Sequence, residues 1–205
     1  MEELSPVVAA VEKALGFEDY KTIISMVNSV DVSKCTDFQT AFDRYYRVRR
    51  NDAWRAKFYK YFESVKCDKD ISFDAIIDYI YDNMKTVQGN SNPVEASFSS
   101  KMLATIDTNK PILDSQVLKN MGLSIVGETP EKRLQSSKKA YKDICERFEN
   151  YIGTVDCDEA VKLFDSYFPG CKGFSVCKKI DWFLWALEKD GLTKLGIFGA
   201  LYEQT

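Results

Sequence analysis

Apolar residues recur at helical spacing along most of this 205-residue chain, and this periodicity constrains the fold more than any other sequence feature. Residues i, i+3, i+4 and i+7 share one face of an α-helix, which is the face that packs against a core. After Ser72, for example, Phe73, Ile76, Ile77 and Ile80 fall on one side. No segment between turn signals alternates apolar and polar residues as a strand does. We therefore predict an all-α fold, a compact multi-helix body with two helical lobes and a cleft.

Start and stop signals divide this body into about ten helices. Thr36 and Gln39 fit a capping box, and Asn51 or Asp52 caps the helix that follows. We treat residues 1–205 as a single all-helical protein with a subdomain seam at the polar loop 88–93. Residues 1–87 and the C-terminal helices would form one lobe, and residues 93–152 the active-site lobe. The predicted helices cover residues 5–16, 18–28, 36–50, 52–65, 72–85, 93–106, 114–121, 130–152, 158–168 and 175–189. A final apolar segment at residues 195–202 should pack back on the body.

The amino-acid composition excludes several kinds of catalysis. The chain contains no histidine, which removes Ser-His-Asp and Cys-His nucleophile systems, histidine metal ligands and histidine proton shuttles. The six cysteines are scattered without a C-x-x-C pair, so we expect free thiols, no metal site and no cofactor. A reaction would have to use carboxylates, lysine, tyrosine, a thiol or a carboxylate-bound metal.

The sequence also carries no membrane signal. No apolar run approaches the roughly 18 to 20 residues of a membrane span. The N-terminus is acidic and lacks the basic start and apolar stretch of a secretory signal. We expect a cytoplasmic protein that has no membrane partner and acts as a monomer.

Lys101 is the first candidate site residue. On a helical wheel for residues 93–106, Val94, Phe98, Lys101 and Thr105 fall within about 60° of one another, at or beside the apolar face. Partial desolvation would lower the pKa of this lysine and make its amine a nucleophile. Alternatively, the stem covers apolar surface while the ammonium group reaches water.

Asp114 is the second candidate. It precedes a short helix and is a natural N-cap, whose carboxylate accepts hydrogen bonds from the first free N–H groups. Capping alone would explain an aspartate at this position. The turn at residues 107–111 can fold the chain back, so that Asp114 returns to the neighbourhood of Lys101. An amine and a carboxylate together can perform nucleophilic and proton-transfer chemistry.

The segments around these two residues resemble the active-site segment of the helix-hairpin-helix DNA glycosylases, the HhH-GPD superfamily, over residues 94–120. The resemblance implies that Asp114 stabilises the positive charge developing on the sugar and that Lys101 can attack C1′ to form a Schiff base. Ser97 and Ser99 stand where the family has hairpin glycines, and with Ser100 they are the implied contacts to a DNA phosphate. The linker from Lys101 to Asp114 is shorter than in well-known members, and the iron–sulfur cysteine motif is missing.

A basic aromatic segment at residues 42–62 contrasts with the net charge of −3 for the whole chain. Its arginines could hold phosphates, and its aromatic rings could stack on a flipped base. Alternatively, the aromatics form a core and the arginines are solvated. The predicted DNA contacts are Arg44, Arg47, Arg49, Arg50 and Arg55, and the predicted base pocket is Tyr45, Tyr46 and Trp54.

The preferred function is therefore a DNA glycosylase, with DNA as partner. Such an enzyme would flip a damaged or modified base and cleave its N-glycosidic bond, in repair or in defence against phages with altered DNA. The alternative is a non-catalytic helical module that binds nucleic acid or protein through the same basic surface. Asp181, Trp182 and Trp185 near the C-terminus are interpreted as structural.

Overall fold

A computed structural model describes residues 16–84, 94–187, 196 and 198–202, and the described residues form two compact units. The first unit contains residues 16–107 and 126–138, and the second contains residues 108–125 and 139–202 within the described ranges. Helices, joined by turns and one 3₁₀ segment, make up the regular structure of these ranges, and no strand occurs in them. The all-α prediction is confirmed.

The first unit is organised around aromatic side chains. Phe42 is fully buried, and its ring centroid lies 5.8 Å from that of Phe58 and 5.7 Å from that of Phe62. Phe58 stacks on Trp54 at 4.8 Å. Such rings bury large apolar areas and prefer offset or edge-to-face contacts. The helices of this unit are α1 (Phe17–Met26), α2 (Thr36–Tyr45), α3 (Asp52–Val65), α4 (Phe73–Met84) and α5 (Ala96–Ile106).

Local capping signals place several helix starts in this unit. The Asn51 side chain accepts from the backbone N–H of Trp54, and the Ser72 hydroxyl accepts from that of Ala75, as predicted for N-caps. The predicted capping box at Thr36 is wrong, because Thr36 is already helical and the Gln39 amide donates to the Val32 carbonyl instead.

Helix α2 is also shorter than predicted. It ends at Tyr45 instead of near Arg50, and Arg47 then adopts a left-handed backbone conformation with φ of 55°. That conformation is uncommon for a residue with a side chain and cannot continue a right-handed helix. The chain therefore turns between α2 and α3.

The second unit begins with a short helix and ends with the C-terminal helices. Its core includes Ile144, Phe148, Phe164, Trp182 and Leu184. Thr154 and Ser175 cap two of its helices through their hydroxyl oxygens. The helices are α6 (Ser115–Asn120), α7 (Pro130–Tyr151), α8 (Val155–Tyr167), α9 (Val176–Ala186) and α10 (Gly199–Tyr202); residues 130–138 of α7 belong to the first unit.

The grouping of segments differs from the predicted lobes. The loop at residues 88–93 lies outside the described residues, and the helices on either side of it, α4 and α5, belong to the same unit. The C-terminal helices share a unit with residues 108–125, and hydrogen bonds from polar side chains connect these segments. Asn120 donates to the carbonyls of Leu184 and Leu187, and Ser175 donates to that of Thr108.

Two further sequence expectations bear on the described chain. The six cysteines, all within the described ranges, are free thiols, as predicted. Among the helices described, none has both the length and the apolar character needed to cross a membrane.

The aromatic core of the first unit predicts a large effect of truncation at its centre. We expect Phe42→Ala to lower the free energy of unfolding by about 3–5 kcal/mol, since a buried ring is lost and a cavity remains. The matched control is Thr40→Ala on the exposed side of the same helix, with an expected change within about 0.5 kcal/mol. Urea unfolding followed by circular dichroism measures both. Equal losses in the two variants would contradict this core.

Candidate active site

Asp114 is positioned at the first turn of α6. Its Oδ1 atom accepts hydrogen bonds from the backbone N–H groups of Gln116 and Val117, each at 3.0 Å, and its backbone is extended with φ of −139° and ψ of 176°. The predicted N-cap is confirmed. The residue is partly exposed, and both capping bonds use the same carboxylate oxygen. The other oxygen, Oδ2, makes neither of these two bonds.

The segment that leads into Asp114 is anchored by side chains from α7 and α9. The Tyr141 hydroxyl donates to the Pro111 carbonyl at 3.2 Å. Asp181 Oδ1 accepts from the backbone N–H of Ile112 at 3.3 Å. Both anchoring side chains are buried, so neither bond competes with bulk water. The backbone two and three residues before Asp114 is therefore held from both sides.

Asp181 is a buried carboxyl group in the middle of an apolar helix. It is 3% exposed, and within the described chain its Oδ2 atom has no hydrogen-bond partner, although the Lys178 ammonium lies 3.9 Å away. The pKa of Asp181 is raised to about 7, with burial as the largest cause; the negative charge of Asp114 also raises it, while Lys178 and the Ile112 N–H lower it. Sequence analysis missed this residue as a site component. The available signal was an acidic residue flanked by Ile180 and Trp182.

Lys101 lies at the edge of the buried face of α5, as the helical wheel predicts. Its Nζ atom donates to the Tyr46 carbonyl at 3.4 Å and lies 5.3 Å from the centroid of the Phe98 ring and 5.8 Å from that of Tyr46. The side chain is partly buried. An ammonium group this close to aromatic rings gains cation–π attraction while losing part of its hydration.

Phe98 also connects other predicted site residues in the first unit. The Arg50 guanidinium lies 5.1 Å from the Phe98 ring centroid and 5.8 Å from that of Trp54. Arg50 donates to both carboxylate oxygens of Glu95, at 3.0 and 2.8 Å. The structure thus brings Lys101, Arg50 and Trp54 together around the Phe98 ring, and Tyr46 lies beside Lys101.

Other predicted DNA contacts are engaged within the protein. Arg44 forms a bidentate pair with Asp19, and Arg55 forms an ion pair with Asp43 at 2.9 Å. Arg47 and Arg49 are exposed. Four carboxylates, including Glu95 and Asp52, thus lie beside the arginines, so the basic segment carries less net positive charge than its arginine count suggests. Arg44 is exposed, as the solvated alternative predicts, whereas Arg50 and Arg55 are partly buried and ion-paired, so that alternative is wrong for these two.

The predicted stacking surface requires a correction. Trp54 is 1% exposed and Tyr46 is 5% exposed, because both rings belong to the aromatic core; only Tyr45 is partly exposed. The proposal that aromatics of this segment form a core is therefore confirmed for Trp54 and Tyr46. A base cannot stack on either ring in this conformation.

The serines assigned to a DNA phosphate require a similar correction. Ser99 and Ser100 are fully buried, and their hydroxyl groups donate to the carbonyls of Glu95 and Ser97. Their side chains satisfy local backbone acceptors and point away from solvent. Ser97 is partly exposed and is the one of the three whose position still suits contact with a phosphate.

Lys101 and Asp114 lie in different units, so their pairing in one site stays a prediction. Each has a defined local environment. Lys101 lies among aromatic rings, and Asp114 caps α6 while Asp181 bonds the backbone two residues before it. Within the described residues, no three His, Cys, Asp or Glu side chains form a group able to hold a metal ion. Carboxylate and amine chemistry is what these side chains offer.

Comparison of the chain with protein-family models, with curated proteins and with solved structures gives no match. The chemistry of the site therefore has to be argued from its own residues.

The buried carboxyl of Asp181 predicts a specific pH dependence of stability. The pKa of the Asp181 carboxyl group is about 7 in the folded chain, whereas the ordinary pKa of an aspartate is 3.8. Between these values the folded state binds more protons than the unfolded state, so the contribution of Asp181 to stability falls as the pH rises. The total change is on the order of 4 kcal/mol. Lys178, Asp114 and Tyr141 are the charged or titratable groups around it.

The measurement is urea unfolding of the wild type and of Asp181→Asn between pH 5 and pH 8. We expect the wild type to lose stability relative to the variant as the pH rises from 5 to about 7, and the difference to stay constant above that pH, because asparagine cannot ionise. Glu149→Gln, the same chemical change at an exposed position of α7, should track the wild type. Parallel curves for wild type and Asp181→Asn would show that Asp181 does not titrate there.

Proposed function

We propose that this chain is a DNA glycosylase that excises a damaged or modified base by cleaving its N-glycosidic bond. In this proposal the all-α body is a divergent form of the helix-hairpin-helix glycosylase fold, and the protein acts on DNA as a cytoplasmic monomer. Cleavage of a glycosidic bond passes through an oxocarbenium-like transition state, which a fixed carboxylate can stabilise. Asp114 is the proposed carboxylate.

The geometry of Asp114 is the observation that carries the proposal. Its Oδ1 atom holds the two capping bonds, which fix the carboxylate group without using Oδ2. A preorganised negative charge needs little rearrangement as positive charge develops on the sugar. The likeness of residues 94–120 to the active-site segment of the glycosylases adds support, since it assigns the same aspartate to that role.

Lys101 is the proposed nucleophile of a bifunctional reaction. Its contacts with the Phe98 ring and with the Tyr46 carbonyl hold the amine in a partly desolvated position. After giving up a proton to water, the amine would attack C1′ and displace the base. Opening of the C1′–O4′ bond, with a proton returned to O4′, would then give the Schiff base, from which elimination cleaves the strand. If water attacks instead, Asp114 activates the water and Lys101 is not needed.

In this proposal, the exposed part of the basic segment binds the DNA backbone. Arg47 and Arg49 are exposed, so their guanidinium groups can reach phosphates at the protein surface. Arg44 and Arg50 would first have to leave Asp19 and Glu95. Phosphate contacts of this kind give affinity that falls as salt concentration rises.

The direct test is base release from a panel of DNAs that contain repair lesions or phage-type modified bases. We expect the wild-type protein to leave abasic sites in at least one of these DNAs, and Asp114→Asn to be slower by at least about 100-fold. Asparagine caps a helix about as well as aspartate, so the variant should keep its fold and stability. The released base is measured by mass spectrometry, and the folded state by circular dichroism.

The control is Asp158→Asn, which makes the same change at an exposed position of α8 and should leave the rate unchanged. The proposal fails if the wild type binds these DNAs and releases no base from any of them. It also fails if Asp114→Asn releases base at the wild-type rate.

A second experiment concerns Lys101. Borohydride reduction during the reaction should trap a covalent adduct between protein and DNA, and Lys101→Gln should abolish the adduct. Lys119→Gln, at an exposed position of α6, is the control and should keep it. An adduct that survives in Lys101→Gln would contradict the role of this amine. Base release without any adduct would assign a monofunctional mechanism with water as nucleophile.

The burial of Ser99 and Ser100 favours one alternative, a non-catalytic helical module that binds nucleic acid or protein. Ser99 stands where the glycosylases have a hairpin glycine and Ser100 is a predicted DNA contact, but the hydroxyls of both are used within the helix. A module of this kind would bind through Arg47 and Arg49 and show no base release. Binding by Asp114→Asn that equals wild-type binding, with no reaction by either protein, would support it.

A further inference from the structure

Asp181 is a buried carboxyl group for which the proposed reaction has no use. It accepts from the Ile112 N–H, and its second oxygen is buried without a hydrogen-bond partner in the described chain. A carboxyl group in this state is costly compared with an apolar residue of similar size. Its one bond to backbone lies two residues before Asp114.

We propose that Asp181 is a positioning residue for Asp114, acting through the backbone N–H of Ile112. Helix α9 thereby fixes the extended segment that delivers the carboxylate to the start of α6. The part of this proposal that concerns base release rests on the proposed glycosylase function, whereas the positioning of Asp114 does not.

The geometry explains how a side chain that touches no substrate can act on Asp114. The Pro111 carbonyl is held by Tyr141, and the Ile112 N–H is held by Asp181, so the backbone before Asp114 is anchored by side chains of two different helices. Beyond Asp114, the Gln116 N–H bonds its Oδ1 atom. A shift of the Ile112 anchor therefore moves the carboxylate relative to its capping bonds.

The charge of Asp114 affects the protonation of Asp181. Burial is the largest cause that raises the pKa of Asp181, and the charge of Asp114 raises it as well. The charge of Lys178 lowers this pKa. A charged carboxylate accepts a stronger hydrogen bond than a neutral carboxyl group. Ionisation of Asp181 should therefore strengthen its bond to the Ile112 N–H and alter the environment of Asp114. Lys178, Asp114 and Tyr141 are the charged or titratable groups that face it.

Backbone amide chemical shifts test this link without any assay of activity. In a pH titration of the 15N-labelled wild-type protein, we expect the amides of Ile112, Gln116 and Val117 to move together with a midpoint near pH 7. The chain contains no histidine, so the side chain that most often titrates near this pH is missing. In Asp181→Asn, the three amides should lose this inflection.

Asp165→Asn is the matched control, since Asp165 is also a carboxylate that pairs with a lysine of α9, Lys179. It should keep the inflection at all three amides. A wild-type titration in which Gln116 and Val117 do not follow Ile112 overturns the proposal, and this arm requires no variant. Retention of the inflection in Asp181→Asn also overturns it.

The enzymatic arm applies to the DNA from which the wild type releases a base. Under single-turnover conditions we expect the pH profile of the rate constant for base release to carry an inflection near pH 7, which Asp181→Asn removes while DNA binding is unchanged. An unchanged profile in the variant contradicts the positioning role in the reaction. If the wild type releases no base while the amide shifts behave as expected, the glycosylase function fails and the placement of Asp114 stands.

Discussion

Hydrogen bonds between side chains and backbone that connect residues 111–121 with α7 and α9 are the interaction on which the candidate site depends. Asp181 holds the Ile112 N–H, and Arg147 donates to the Met121 carbonyl at 2.6 Å. Asn120, which is 1% exposed, donates to the carbonyls of Leu184 and Leu187 at the end of α9. A buried polar group that loses its partner stays desolvated, which costs free energy, so these bonds favour a single arrangement of the backbone. The placement of Asp114 follows from them.

Local signals were enough to predict much of the fold. Asn51, Ser72 and Asp114 cap helices through bonds that span two or three residues, so a sequence pattern contains all the necessary information. The capping box at Thr36 failed because the amide of Gln39 found a carbonyl seven residues away. A pattern that looks only three residues ahead does not contain that competing acceptor.

The candidate site was harder to predict because its contacts are distant in sequence. Arg50 pairs with Glu95, which is 45 residues away, and Asp181 bonds Ile112, which is 69 residues away. Periodicity puts Trp54 on an apolar face without saying whether that face meets a core or a ligand. In the structure, the Trp54 face packs into the aromatic core. Lys101 was placed correctly at the edge of its buried face, because the helical wheel is a local property.

We propose that Asp114 stabilises positive charge on a deoxyribose, and abasic-site analogues test this role without knowledge of the target base. The measurement compares the Kd for DNA in which a protonated pyrrolidine replaces the sugar with the Kd for DNA containing uncharged tetrahydrofuran. A ring that resembles the transition state should bind at least about 100-fold more tightly to the wild type, and Asp114→Asn should lose that preference. Equal affinity of the wild type for the two DNAs would contradict the claim.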